Sequence, residues 1–418
     1  MTVRARRLAA ILLAGSLLWL PTSAAFAPPP QSEEQTCTRE FRPVSPPLTE
    51  LGANPYTRMD GQTTGYIGGL YAGGSNVPPA AHLAAGLALS ESIVPLRPDG
   101  TPDTEKGRIA LVSVGMSNTQ AEFQRFMDVT HRDPRINPKV VPVNGALSGQ
   151  TADRWVDPEA LAWEWLEMRL TDRALTPLQV QVAFVKQTHA GGGGFPDKAQ
   201  MLQADLEAIV HNLHARFPNL KLVFLSSRTR SYLYERGLSP EPVAFETAFA
   251  VRWLIEAQIA GDPELNYDPA RGEVTAPFLA WGPYLWIDGE TPRADGRVWA
   301  AQNLAVDCVH PSREGRDQVA EMLVEFFLND PLAAAWYPAG ASSSPVDLQG
   351  SPTPPPALTP APPPTMAAPG PAATQASLSP EGAYTSLTPA AILGGAALFV
   401  LGLALGAALM AAIGRRRS

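Results

Sequence analysis

Three short stretches of this chain hold residue types that can work together chemically. Gly115-Met116-Ser117-Asn118-Thr119 sets a serine hydroxyl just after an apolar run, where helical spacing begins. Its backbone N–H and the start of the helix favour a developing oxyanion. Asn144-Gly145-Ala146-Leu147-Ser148-Gly149-Gln150-Thr151 offers glycine, whose backbone can approach a reacting carbonyl and lend it an N–H. Asp307-Cys308-Val309-His310-Pro311 sets an acid three residues before a histidine. Such an acid can orient the imidazole and steady its charge while the ring serves as base. Singly, each stretch has a plain structural reading: Ser117 as a helix cap, Gly149 as a turn residue, His310 as a surface imidazole. Together they describe acyl transfer.

The elements that must position these residues alternate along the chain. Short apolar, β-branched runs at 108–114, 140–143, 180–185, 220–225 and 278–281 read as strands. Helical spacing covers 119–129, 158–170, 196–217 and 243–259, with Pro158 near a first helical position. A last helix covers about 312–328, with Ser312 as its N-cap. This alternation predicts a three-layer α/β/α fold around a doubly wound parallel sheet, of flavodoxin-like type. Ligands in such sheets bind beyond the carboxyl ends of the strands, and all three stretches fall just after strands or just before the last helix. Residues 26–107, rich in Gly and Pro, read as an irregular extension packed on the core domain of 108–337.

In this order, Gly-x-Ser, Asn-x-x-x-Ser-Gly-x-Thr and Asp-x-x-His-Pro, the chain resembles the SGNH or GDSL-type hydrolases over residues 108–330. The resemblance implies ester hydrolysis with neither metal nor cofactor. It marks Ser117 as nucleophile, His310 as general base and Asp307 as its orienting partner. It marks the amides of Ser117 and Gly149 as oxyanion donors. Two positions depart from the family pattern. Met116 stands where the family has Asp. The family's Gly-x-Asn-Asp motif is replaced by Val185-Lys186-Gln187-Thr188-His189. Gln187 falls at the oxyanion asparagine's place and keeps the amide; His189 is the alternative donor. A rival reading is a non-catalytic surface module that keeps the fold and binds a carbohydrate or other ligand, and the altered motif is what supports it.

The ends suggest export. Arg4, Arg6 and Arg7 precede an apolar run at 8–20 and small residues at 22–27, the order of a signal peptide. Cleavage after Ala25 avoids Pro28, which would follow a cut at Ala27. Residues 338–389 are rich in Pro, Ala, Ser and Thr and read as an extended stalk. Residues 390–413 carry no charge and are long enough at ~1.5 Å per residue to cross a bilayer core of ~30 Å. Arg415, Arg416 and Arg417, in a tail of residues 414–418, then mark the cytoplasmic side. The expected place is therefore a single-pass cell-membrane protein with its globular part outside. The net charge of −8 argues against nucleic acid. No obligate protein partner is evident, and the expected substrate is a carbohydrate or small acyl ester. Cys37 and Cys308 are the two cysteines, a disulfide or two separate thiols. No Cys/His spacing fits zinc, and His211 and His214 read as a solvated pair. Trp163, Trp165, Trp281, Trp286 and Trp299 read mainly as core, with sugar stacking as the alternative for any that lie at the site.

Overall fold

The computed structural model describes Cys37, residues 41–234 and residues 236–340. The expected signal segment, most of the stalk, the span and the tail lie outside the described residues. Among the described residues, no helix is long and apolar enough to cross a membrane.

The segment before the core is more regular than its Gly and Pro content predicts. It holds α1 (Leu48–Leu51), an antiparallel hairpin of β1 (Pro55–Thr57) and β2 (Thr63–Ile67), and the twelve-residue α2 (Ala80–Glu91). The alanine-rich run of α2 supplies strong helix formers. Gly86 fits it against the core: a Cβ there would lie 2.7 Å from the Phe278 ring.

From Ile109 onward, strands and helices alternate as the spacing predicts. They are β3 (Ile109–Gly115), α3 (Ser117–Thr130), β4 (Val140–Val143), α4 (Ala152–Trp155), α5 (Leu161–Thr171), β5 (Val180–Lys186), α6 (Asp197–Arg216), β6 (Leu222–Leu225), α7 (Val243–Ala260), β7 (Phe278–Trp281) and α8 (Arg313–Asn329). The five strands β3 to β7 pair in parallel in the order β4-β3-β5-β6-β7. Every residue of β3 and of β5 is buried, as a parallel sheet covered on both faces demands.

The period of two in each strand divides the core into two. Val112 and Val114 of β3, with Val223 and Leu225 of β6, pack on one face against α5, α6 and α7. Leu111 of β3 and Phe224 of β6 pack on the other against α2, α3 and α8. Two helical layers therefore flank the sheet. Direction reverses at β3, whose chain leaves to one side for β4 and returns to the other for β5. The carboxyl ends of β3 and β5, where Gly115 pairs with Lys186, thus open a crevice between diverging connections.

Two local details differ from expectation. α5 starts at Leu161 rather than near Pro158, because the Asp157 carboxylate accepts from the Glu159 amide and holds a turn ahead of the helix. α4, a single turn, also lies within the β4–β5 connection. Ser312 caps α8, accepting from the Gly315 amide at 3.2 Å.

Candidate active site

Ser117 is the first residue of α3, two residues past Gly115 at the carboxyl end of β3. Three contacts fix this junction. Gly115 leaves no room for a side chain, since a Cβ there would sit 2.4 Å from Thr119. The Thr119 hydroxyl donates to the Lys186 carbonyl at 2.9 Å, stitching α3 to the end of β5. Beneath it the buried Lys186 ammonium donates to the Glu122 carboxylate at 2.5 Å, joining the same two elements. Burial outweighs the pull of Glu122 and lowers the Lys186 pKa to about 8. Met116 is buried, so the residue beside the serine packs into the core and brings no carboxylate to the site.

The turn before α8 brings the other two groups to Ser117. The Asp307 carboxylate accepts from the amides of Val309 and His310 at 3.1 and 2.9 Å, closing the turn on itself. Its second oxygen accepts from His310 Nδ1 at 2.5 Å, and His310 Nε2 lies 2.7 Å from Ser117 Oγ. Partial burial works to raise the Asp307 pKa, but the bonds from the His310 ring and from the two amides outweigh it. They hold the carboxyl below its usual range. The Asn118 side chain donates to the Val309 carbonyl at 2.9 Å, so the serine's own helix grips the turn. A disulfide joins Cys308 to Cys37. Cys308 has φ 62°, the left-handed region that side chains rarely adopt.

Ser117 and His310 line an open cleft of about 470 Å³. Asn144 and Ser148 of the glycine-rich turn line it too, as do Trp165 and Arg169 of α5 and Arg316 of α8. Gly149 is exposed with φ 76°, and a Cβ there would meet nothing within 4 Å. Backbone conformation, not crowding, is therefore what this position asks of glycine.

The segment from Val185 to His189 is placed differently from expectation. Gln187 is buried and does not line the cleft; its amide donates to the Gln150 carbonyl at 3.3 Å, and its Oε1 has no partner among the described residues. It braces the turn that carries Gly149. His189 is turned away, with Nδ1 2.6 Å from the Asp205 carboxylate of α6. With Asp153 they place potential ligand atoms within 4.8 Å of one another. These three come from separate elements, so no spacing in the sequence shows the grouping. His211 and His214 are not a free pair: their rings donate to the carbonyls of Glu264 and Val274 at 2.8 and 3.0 Å. Of the tryptophans singled out from sequence, Trp163, Trp281, Trp286 and Trp299 are buried and Trp165 alone lines the cleft. Arg169 and Arg316 were missed, because surface arginines on helices carry no motif.

No protein-family model matches the chain, and no curated protein does at a significant level. Solved structures do resemble it. A Bacteroides fragilis protein provisionally assigned as an acylhydrolase is 14% identical, with a TM-score of 0.32 over 61% of this chain and 100% of its own. A GDSL-like lipase from Bacteroides thetaiotaomicron is 13% identical, with a TM-score of 0.30 over 59% of this chain and 97% of its own. An Arabidopsis thaliana protein is 11% identical, with a TM-score of 0.29 over 68% of this chain and 96% of its own. At such scores the likeness decides nothing about the activity of this chain; the geometry of the site has to carry that.

Proposed function

We propose that the chain is a serine ester hydrolase of SGNH type. One observation carries this reading: the hydrogen-bonded series from Asp307 through His310 to Ser117, opening on a cleft at the carboxyl edge of the sheet.

Ser117 Oγ attacks the ester carbonyl while His310 Nε2 takes its proton. The tetrahedral oxyanion accepts from the Ser117 amide, a donor in the first turn of α3 with no intrahelical acceptor, and from the Gly149 amide. Collapse breaks the ester C–O bond, His310 returns the proton to the departing alcohol, and an acyl-serine remains. Water deprotonated by His310 attacks that acyl group, releasing the acid and restoring Ser117. Asp307 stays ionised and holds the ring. Gln187 acts through the Gln150 carbonyl on the turn that presents Gly149, in place of donating to the oxyanion itself.

A fluorophosphonate probe should label the parent protein and not Ser117→Ala. Hydrolysis of 4-nitrophenyl acetate should fall by 10³-fold or more in that variant, since it removes the nucleophile. A folded parent that neither labels nor turns over would return the fold to the role of a non-catalytic ligand-binding module.

The place of action in this reading is outside the cytoplasm, on a stalk held by a single membrane helix, with carbohydrate esters as the substrate class. The ends of the sequence and Trp165 in the cleft support it. Protease added to intact cells should release the globular part; a domain protected until lysis would reverse the orientation.

A further inference from the structure

We propose that this cleft selects esters of anionic molecules, through Arg169 and Arg316. The inference rests on the esterase reading for its chemistry and adds the substrate's charge. Both guanidiniums line the same cleft as Ser117 and His310, and among the described residues no carboxylate side chain lines it. The chain as a whole is acidic, at −8, so two cations facing one cavity with no acid among its walls run against the general charge.

Neither arginine is fully occupied by the protein. Arg169 donates through Nη1 to Asp172 at 3.0 Å, on the exposed side of α5. Its Nε is buried with no acceptor among the described residues. Arg316 donates through Nε to the Ser312 carbonyl at 3.1 Å, within its own helix turn. That leaves the outer nitrogens of its fork uncommitted among the described residues. Trp165 stands beside Arg169: the guanidinium lies over its ring at 5.5 Å, and the indole Nε1 is also buried with no acceptor among the described residues.

An oxyanion group on the substrate accepts from the outer guanidinium nitrogens that line the cleft and meets the two positive charges together. A guanidinium fork matches the paired oxygens of a carboxylate, and equally those of a sulfate or phosphate. Both arginines line the cleft into which Ser117 and His310 open, so the anion sits on the alcohol or acyl portion of the ester. An acylated uronic acid meets both this demand and the carbohydrate reading.

The test compares hydrolysis of 4-acetoxybenzoate, which carries a carboxylate, with that of neutral 4-nitrophenyl acetate and methyl 4-acetoxybenzoate. The parent should favour the anionic ester over its methyl ester by at least tenfold in kcat/KM, through KM. The preference should shrink as salt rises from 20 to 500 mM, because surface charge is screened. Arg316→Gln and Arg169→Gln should each lower the ratio of anionic to neutral kcat/KM by threefold or more, with Arg→Lys at each site between. Sulfate and phosphate analogues set which oxyanion fits best. Equal kcat/KM for the carboxylate and its methyl ester would overturn the inference while leaving the esterase reading intact. If the parent hydrolyses no ester, binding decides. Trp fluorescence of Ser117→Ala should then saturate with galacturonate and not with galactose, and Arg316→Gln should lose the response. A response equal for both sugars, or for neither, overturns it. Melting temperature of each variant separates a lost fold from a lost preference.

Discussion

Asp307 does two jobs with one carboxylate. One oxygen closes the turn by accepting two amides, and the other holds the His310 ring. Both jobs need the ionised form, and those bonds hold its pKa below the usual range. The sign follows. A carboxyl depressed in the folded state gives stability that is fully present above its unfolded value of ~4 and lost as pH falls through the lower folded one. Asp307→Asn removes that titration. The gap in melting temperature between parent and variant should therefore be widest near neutrality and narrow below roughly pH 4. A gap independent of pH would mean that the charge contributes nothing to the turn. Gly149 supports a companion prediction. Its φ of 76° is costly for any other residue, so Gly149→Ala should misplace the amide and lower kcat. Losing an oxyanion donor costs roughly 10²–10³-fold. Gln187→Ala, one step removed, should cost less, and His189→Ala, tied to Asp205, should leave kcat near the parent's. A larger loss from His189→Ala than from Gly149→Ala would reassign the oxyanion site.

At the scale of elements, the position of Ser117 depends on how α3 sits against the end of β5. The Lys186–Glu122 pair joins them with both side chains almost wholly out of water. Removing one member strands a buried charge, which typically costs about 3–5 kcal/mol, whereas replacing both by apolar groups is often neutral. Lys186→Met should therefore destabilise strongly in urea unfolding. Lys186→Met with Glu122→Leu should recover most of the loss. If the double variant is no better than the single, the pair is not what holds the junction. This pair also marks where the sequence stops being legible. The strands and helices from Ile109 onward could be read because β-branched runs and helical spacing are local signals, and Ser117, Asp307 and His310 could be read because each follows or precedes such an element. Lys186 ends a mostly apolar strand and its partner lies 64 residues away, so nothing local announces the pairing. Gln187 illustrates the same limit. Its position after β5 is legible, but the acceptor that turns its amide from the cleft, the Gln150 carbonyl, belongs to another connection. α2 was missed for the opposite reason: glycine and proline around it obscured a short helix whose own residues favour one.

For the domain as a whole, the Cys37–Cys308 disulfide links residues 271 apart in sequence. It fastens the N-terminal arm to the turn that carries Asp307 and His310. In the chain-entropy model a closure of that length stabilises by roughly 5 kcal/mol, and often less when measured. A second effect is local. Cys308 stands in the left-handed region at φ 62°, a conformation of order 1–3 kcal/mol above the alternatives for a non-glycine residue. The turn's hydrogen bonds and the cross-link hold it there together, with the Tyr232 amide donating to the Cys308 carbonyl at 3.1 Å. Reduction should thus act twice, lowering the melting temperature by freeing the arm and lowering kcat by letting the turn relax away from Ser117. The two effects separate in Cys308→Gly with Cys37→Ser. Glycine accepts the left-handed backbone without the cross-link, so this variant should keep much of the parent's kcat while losing stability. Cys308→Ala with Cys37→Ser should lose both. Equal kcat in these two variants would show that the cross-link serves stability alone; an unchanged melting temperature on reduction would remove both roles.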